Sequence, residues 1–226
     1  MVRDIGVMAA HCRDSRRNLR DRMMTDPISK ASVGRTVDET DRARAQEYAL
    51  LATLLTRSPE APLLFRLAGL RGDASPIGVG HVALAEAARR TTAERVSHEF
   101  FTLFSGLNEG GLLPYASHYL SETLYGRPLV RVRETLDSLG MEKTPERKEP
   151  EDHAGFLCEI MAGIVGGRIA APDGADRDFF ERHLSPWIGR FFVDLERAKS
   201  ADFYASLGAL GRTFIDIEAE AFALPA

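Results

Sequence analysis

An all-α fold follows from three features of the sequence. Apolar residues recur at three- and four-residue steps through the long segments after Asp38, the mark of helices that bury one face. No stretch sustains the alternation of polar and apolar residues that a half-buried strand requires. Prolines and glycines fall between the periodic segments, where they open and close helices. These features predict one globular domain of about nine to eleven helices over residues 38–226.

The elements follow in chain order. Residues 1–37 are basic and polar without a sustained period, which predicts a largely disordered extension. Tyr48, Leu51, Ala52, Leu54 and Leu55 make the face of a first long helix, which Ser58-Pro59 breaks. Leu63, Leu64, Leu67 and Leu70 make a shorter second helix. Gly69 to Gly80, with Pro76, reads as a loop, and a third helix covers about His81 to Arg90. A fourth runs from Thr92 to Phe104 with Val96, Phe100, Leu103 and Phe104 inward. The period then stops at a glycine-rich yet apolar loop, Ser105 to Tyr115. Tyr119 to Tyr125 reads as a short helix. Pro128 opens the next, with Leu129, Val132, Leu136 and Leu139 on one face and Gly140 at its end. Met141 to Lys148 is a charged linker. The last third reads as helices over about Ala175 to Leu184, Pro186 to Ala198 and Ala201 to Phe222.

The stretch around which the chain is organised is Glu149-Pro150-Glu151-Asp152-His153, running into Ala154 to Val165. Pro150 suits a first helical turn, where amide donors go unpaired anyway. Glu151 and Asp152 place negative charge against the positive end of a helix macrodipole. Leu157, Cys158, Met161, Ile164 and Val165 recur at helical steps, and Ala154, Phe156 and Ile160 widen the stripe, which predicts a central helix. Gly166 and Gly167 supply its stop.

Composition narrows the classes of function. A hydrophobic share of 44% with 27% charged residues is that of an ordinary globular protein. The net charge of −4 is unevenly spread. Residues 1–30 hold seven Lys/Arg against four Asp/Glu, while the remainder holds 22 against 29. An acidic body disfavours nucleic acid and suits a basic peptide. Two cysteines, Cys12 and Cys158, make neither a disulfide framework nor a metal motif. No 18 apolar residues run together, and the Ile5 to Ala10 run is too short for an export signal, so a cytoplasmic location is expected. Ser15-Arg16-Arg17-Asn18-Leu19 has the form of a twin-arginine export motif but lacks the apolar segment after it.

Chemical motifs are sparse. His98-Glu99 begins like a zinc-protease helix, but Thr102 stands where the second histidine belongs. Gly106, Gly110 and Gly111 have no Gly-Lys-Ser/Thr after them, so no phosphate loop is formed. Gly-x-Ser-x-Gly does not occur. No cofactor or metal is expected. The reading from another class is a small helical metal- or nucleotide-dependent hydrolase using His98, His118 and His153.

Four ordered motifs carry a resemblance. Glu99-Phe100-Phe101-Thr102-Leu103-Phe104-Ser105-Gly106 comes first, followed by Pro114-Tyr115-Ala116-Ser117-His118-Tyr119-Leu120. Then come Pro128-Leu129 with Leu139-Gly140, and Glu149-Pro150-Glu151-Asp152-His153 with Leu157-Cys158-Glu159-Ile160-Met161. The set resembles the TorD/DmsD/NarJ family of molybdoenzyme maturation chaperones, sharply over about Val96 to Ile164.

The resemblance implies a TorD-like fold in two helical halves joined near residues 141–153. It implies a chaperone rather than an enzyme, with two partners: an apo-molybdoenzyme catalytic subunit and its twin-arginine signal peptide. Export would be delayed until molybdopterin is inserted. Monomer and domain-swapped dimer are both open. Signal binding carries over to Pro150, Asp152 and His153, and to Pro114, Tyr115 and Ser117. Tyr115 stands where many members have tryptophan, and keeps a flat apolar face while adding a hydroxyl. Tyr119 joins these as groove lining. Glu149, Glu151 and Asp152 are expected as an acidic rim that accepts guanidinium groups through charge-assisted bonds. The expectation as a whole is that the Tyr115 and His153 segments converge in one cleft.

Overall fold

The computed structural model describes residues 36–106, 110–141 and 149–224. Residues 1–35 of the expected extension, Leu107 to Glu109 of the glycine-rich loop and 142–148 of the linker lie outside the described residues. The described chain contains ten α-helices and no strand. They are α1 (Glu39–Thr56), α2 (Ala61–Ala68), α3 (Pro76–Arg89), α4 (Ala93–Phe104) and α5 (Ala116–Ser121). After these come α6 (Arg127–Ser138), α7 (Ala154–Val165), α8 (Ala175–Phe179), α9 (Ile188–Arg197) and α10 (Phe203–Ala223). The all-helical expectation holds. No helix among the described residues is long and apolar enough to cross a membrane.

α7 is the hub. Every residue in it except Glu159 is buried, as expected of a helix that is apolar all round. It packs chiefly against α1, and Gly155 sets how closely. A Cβ there would stand 2.6 Å from Thr56 Oγ1 and 3.2 Å from the Ala52 carbonyl, so the bare backbone lets the helices cross tightly. α9 packs on α10, and α3 on both α10 and α2. The helices on either side of the 141–153 segment are thus interleaved and share one core. That core reaches from Tyr48 and Leu51 of α1 to Trp187, Phe191, Phe192 and Phe214.

Several boundaries differ from the sequence reading, each for a local reason. α3 starts at Pro76 rather than His81, because Ser75 caps it by accepting the Gly78 amide at 3.1 Å. α7 starts at Ala154 rather than Pro150. The His153 amide donates to the Pro150 carbonyl in a turn, and the His153 ring then caps the helix. α5 starts at Ala116, three residues earlier than read, for reasons given with the site. α8 runs on as a single π turn over Phe180–Leu184, and α9 starts at Ile188. Leu112 of the apolar loop packs against the core.

Two polar devices hold helices distant in sequence. Glu99 on α4 caps α10, its carboxylate accepting the amides of Asp202 (2.8 Å), Phe203 (3.2 Å) and Tyr204 (2.8 Å). That gives Glu99 a structural task in place of the zinc-helix comparison. Arg44 on α1 bonds Glu218 of α10 at 2.7 and 2.9 Å, and also Asp41 (3.1 Å) and Asp176 (3.2 Å). The Tyr48 hydroxyl donates to the same Glu218 carboxylate at 2.9 Å.

Two histidines give the fold opposite pH slopes. The His81 pKa is raised by its 2.9 Å bond to Glu47, with burial opposing. That stabilisation is complete below pH ~6.5 and fades as pH rises through the raised value. Burial pushes His183 down to about 4, with Arg182 and Arg131 adding to the effect. Its contribution is complete above pH ~6.5 and is lost as pH falls towards 4. Denaturant midpoints measured across pH will show a shallower loss between pH ~6.5 and ~4 in His183→Gln than in the unmodified protein. His81→Gln will flatten the alkaline side only. Unchanged slopes in both variants would refute the assignment.

Candidate functional site

The site forms where the segment before α5 meets the segment before α7. Tyr115 and His153 pair as an isolated antiparallel bridge. The Ala154 amide donates to the Pro114 carbonyl at 2.7 Å, and the Ala116 amide to the Asp152 carbonyl at 3.0 Å. This two-bond patch fixes both helix starts. It also explains the early start of α5: Ala116 and Ser117 are first-turn amides with no acceptor within their own helix. Asp152 supplies both acceptors, its carbonyl for Ala116 and its Oδ2 for Ser117 at 2.8 Å.

Each expected residue has a distinct place. Pro114 is buried and contributes its carbonyl. The Tyr115 ring stands edge-on to the His153 ring, with centroids 5.2 Å apart at 73°. Its hydroxyl donates to the exposed Glu149. Burial raises the Tyr115 pKa above the ordinary tyrosine value, and Glu149 raises it further, so the hydroxyl stays protonated as a donor. His153 Nδ1 accepts the Gly155 amide at 3.0 Å, so that nitrogen carries no proton in this arrangement. Pro150 is half-buried, and its carbonyl accepts the His153 amide at 3.1 Å.

Three residues are placed otherwise than the sequence reading has them. Asp152 is fully buried and faces α5, not solvent. Glu151 is 5% exposed and receives Arg133 of α6 at 2.9 and 3.0 Å. The expected acidic rim therefore reduces to Glu149. A helix that starts at Ala154 leaves Glu151 and Asp152 ahead of it, free to pair with α6 and α5. Tyr119, four residues beyond Tyr115, has partners of its own on α9 and just before it. Its ring lies against Trp187 (5.4 Å) and its hydroxyl donates to Asp194 of α9 at 3.0 Å.

Two buried atoms at the junction have no partner among the described residues, Asp152 Oδ1 and Ser117 Oγ. Some large apolar side chains that follow α5's start are exposed. Leu120, Leu124, Tyr125 and Val130 are between 39% and 70% exposed, and Tyr125 acts electrostatically on Tyr115. The sequence reading left these four out, and their only local signal is apolar character inside a turn-rich stretch. His98, His118 and His153 stand on α4, α5 and the turn before α7. Among the described residues no three His, Cys, Asp or Glu side chains gather as metal ligands.

The chain is similar to known proteins over much of its length. Residues 71–193 match the family model of the nitrate reductase delta subunit. The chain is 25% identical over 136 residues to the chaperone protein TorD of Vibrio cholerae serotype O1, covering 56% of this chain and 62% of that protein. It is 27% identical over 119 residues to a Haemophilus influenzae protein named "Probable Tat proofreading chaperone DmsD", covering 52% and 57%. Against TorD of Shewanella pealeana it is 23% identical over 219 residues, covering 88% and 97%. The matches to the first two relatives thus span about six-tenths of their lengths.

Proposed function

The chain belongs to the nitrate reductase delta subunit family, with relatives named as TorD and DmsD chaperones, and on that premise we propose that it chaperones a molybdoenzyme. In this reading it binds the twin-arginine signal peptide of a molybdopterin-containing oxidoreductase apoprotein in the cytoplasm. It holds that leader back from export until the cofactor is inserted. No step of the reading uses catalysis, and the relatives are named for chaperoning.

The observation that carries the reading is the Tyr115–His153 junction. It sets an aromatic ring and an exposed carboxylate, Glu149, near Tyr125, in a stretch where Leu120, Leu124 and Val130 are also exposed. A leader has the complementary chemistry, two arginines followed by an apolar segment. The apolar part gains about 0.8 kcal/mol for each methylene it buries. A guanidinium at Glu149 adds a charge-assisted bond that affects specificity and on-rate more than affinity. A leader so held cannot engage the export machinery, so retention is competition for one segment.

Titration calorimetry with a twin-arginine leader from a molybdoenzyme tests this, repeated with the two arginines changed to lysine. The expected result is heat of binding for the first peptide, weakened by salt and by the lysine changes. No heat with either peptide would remove the proposal.

A further inference from the structure

The turn between α5 and α6 holds the two non-glycine residues with left-handed backbone among the described residues, Glu122 (φ 56°) and Tyr125 (φ 62°). Glu122 has an ordinary reason. It ends α5, where chains commonly turn left-handed, and its amide donates to the His118 carbonyl at 3.0 Å. Tyr125 ends no helix, and a bulky residue is disfavoured there because its Cβ crowds the following carbonyl. Glycine would relieve that crowding. Yet the glycine of this turn is the next residue, Gly126, whose φ of −80° makes no use of glycine's freedom.

The fold gains no polar or ring contact in return. Tyr125 is 70% exposed and makes no hydrogen bond, ion pair or ring contact among the described residues. Backbone held in so disfavoured a conformation collects at binding sites, where it aims a side chain. The surroundings of Tyr125 are those of the junction. α6 begins two residues later, packs on α5 and sends Arg133 to Glu151, two residues from Glu149. Burial raises the Tyr115 pKa most and Glu149 adds to it; Tyr125 contributes after them, so it stands within electrostatic reach of the hydroxyl that donates to Glu149.

Resting on the leader-binding reading above, we propose that Tyr125 is a specificity-determining residue, its ring stacking on the leader guanidinium that Glu149 accepts. A guanidinium is a planar cation, and the face of a tyrosine ring attracts it through the ring quadrupole. It can bond a carboxylate along its edge and offer its flat face to a ring at the same time. An ammonium has no flat face to stack. Glu149 by itself attracts either cation through charge, so the ring is what separates arginine from lysine. The left-handed turn keeps that ring out in solvent, ready for the ligand.

The experiment uses the full chain, calorimetry, and twin-arginine and twin-lysine forms of one leader peptide. Tyr125→Gly should weaken the twin-arginine peptide about fivefold and the twin-lysine peptide much less, while Tyr125→Phe, which keeps the ring, should bind as the unmodified protein does. Urea unfolding adds a readout that a merely structural residue would move the other way. Tyr125→Gly should hold or raise the midpoint, because glycine takes a φ of 62° without strain. Unchanged affinity for the twin-arginine peptide in Tyr125→Gly overturns the assignment and leaves leader binding standing. An equal loss for both peptides also overturns it, as does a loss in Tyr125→Phe as large as in Tyr125→Gly. A lowered midpoint in Tyr125→Gly, and again in Tyr125→Asn, which also tolerates left-handed backbone, makes the residue structural and overturns it too. If the unmodified protein binds no leader at all, the leader-binding reading falls and the role of Tyr125 falls with it.

Discussion

Glu218→Ala will lower the stability of the fold by about 3–5 kcal/mol. Glu218 is 2% exposed and accepts three bonds, two from Arg44 and one from the Tyr48 hydroxyl. Removing it strands a partly buried guanidinium and a buried hydroxyl together. Leaving a buried charge without its partner costs more than the pair itself contributes, because the desolvation of the remaining ion is no longer offset. Asp41 and Asp176 still touch Arg44, so the loss stops short of a wholly unpaired charge. Denaturant unfolding read by the single tryptophan, Trp187, measures it. A loss under about 1 kcal/mol would show that the two remaining carboxylates suffice.

Asp152→Ala will cost about 2 kcal/mol, and Asp152→Asn much less. The alanine leaves the buried Ser117 amide without an acceptor, whereas asparagine can still present an oxygen to it. From the sequence, Asp152→Ala with His153→Ala is expected to weaken leader binding while helical content survives. The structure divides that pair. Asp152 acts on the fold, by joining the α5 and α7 entrances. His153 both caps α7 and faces Tyr115. The alanine variant should stay helical at 25 °C, since the loss is smaller than the 5–15 kcal/mol of a typical domain. Equal urea midpoints for Asp152→Ala and the unmodified protein would remove Asp152 from this structural role.

The meeting of the two segments at the candidate site was legible in the sequence. Tyr115 and His153 were expected in one place, and they pair across a backbone bridge. That expectation came from the resemblance of four motifs, because no local rule joins segments separated by the 141–148 linker. The direction of individual side chains was not legible. Glu151 and Asp152 read as exposed charge at a helix start, yet one faces Arg133 and the other Ser117. The bond from Tyr119 to Asp194 carried no signal. Asp194 lies on α9, where a carboxylate is an ordinary solvated residue until a tyrosine from α5 arrives beside it.

The sequence by itself determined the helical class, the central position of α7 and the order of the motifs. Those properties are written in the spacing of apolar residues along a few turns of chain, and burial follows that spacing directly. Tertiary structure alone decided which carboxylates are consumed inside the protein and which remain open to a ligand. A charge turns inward when a donor from a distant helix waits for it, as the Ser117 amide waits for Asp152. It stays at the surface when the donor that reaches it binds only one of its oxygens there, as Tyr115 does at Glu149.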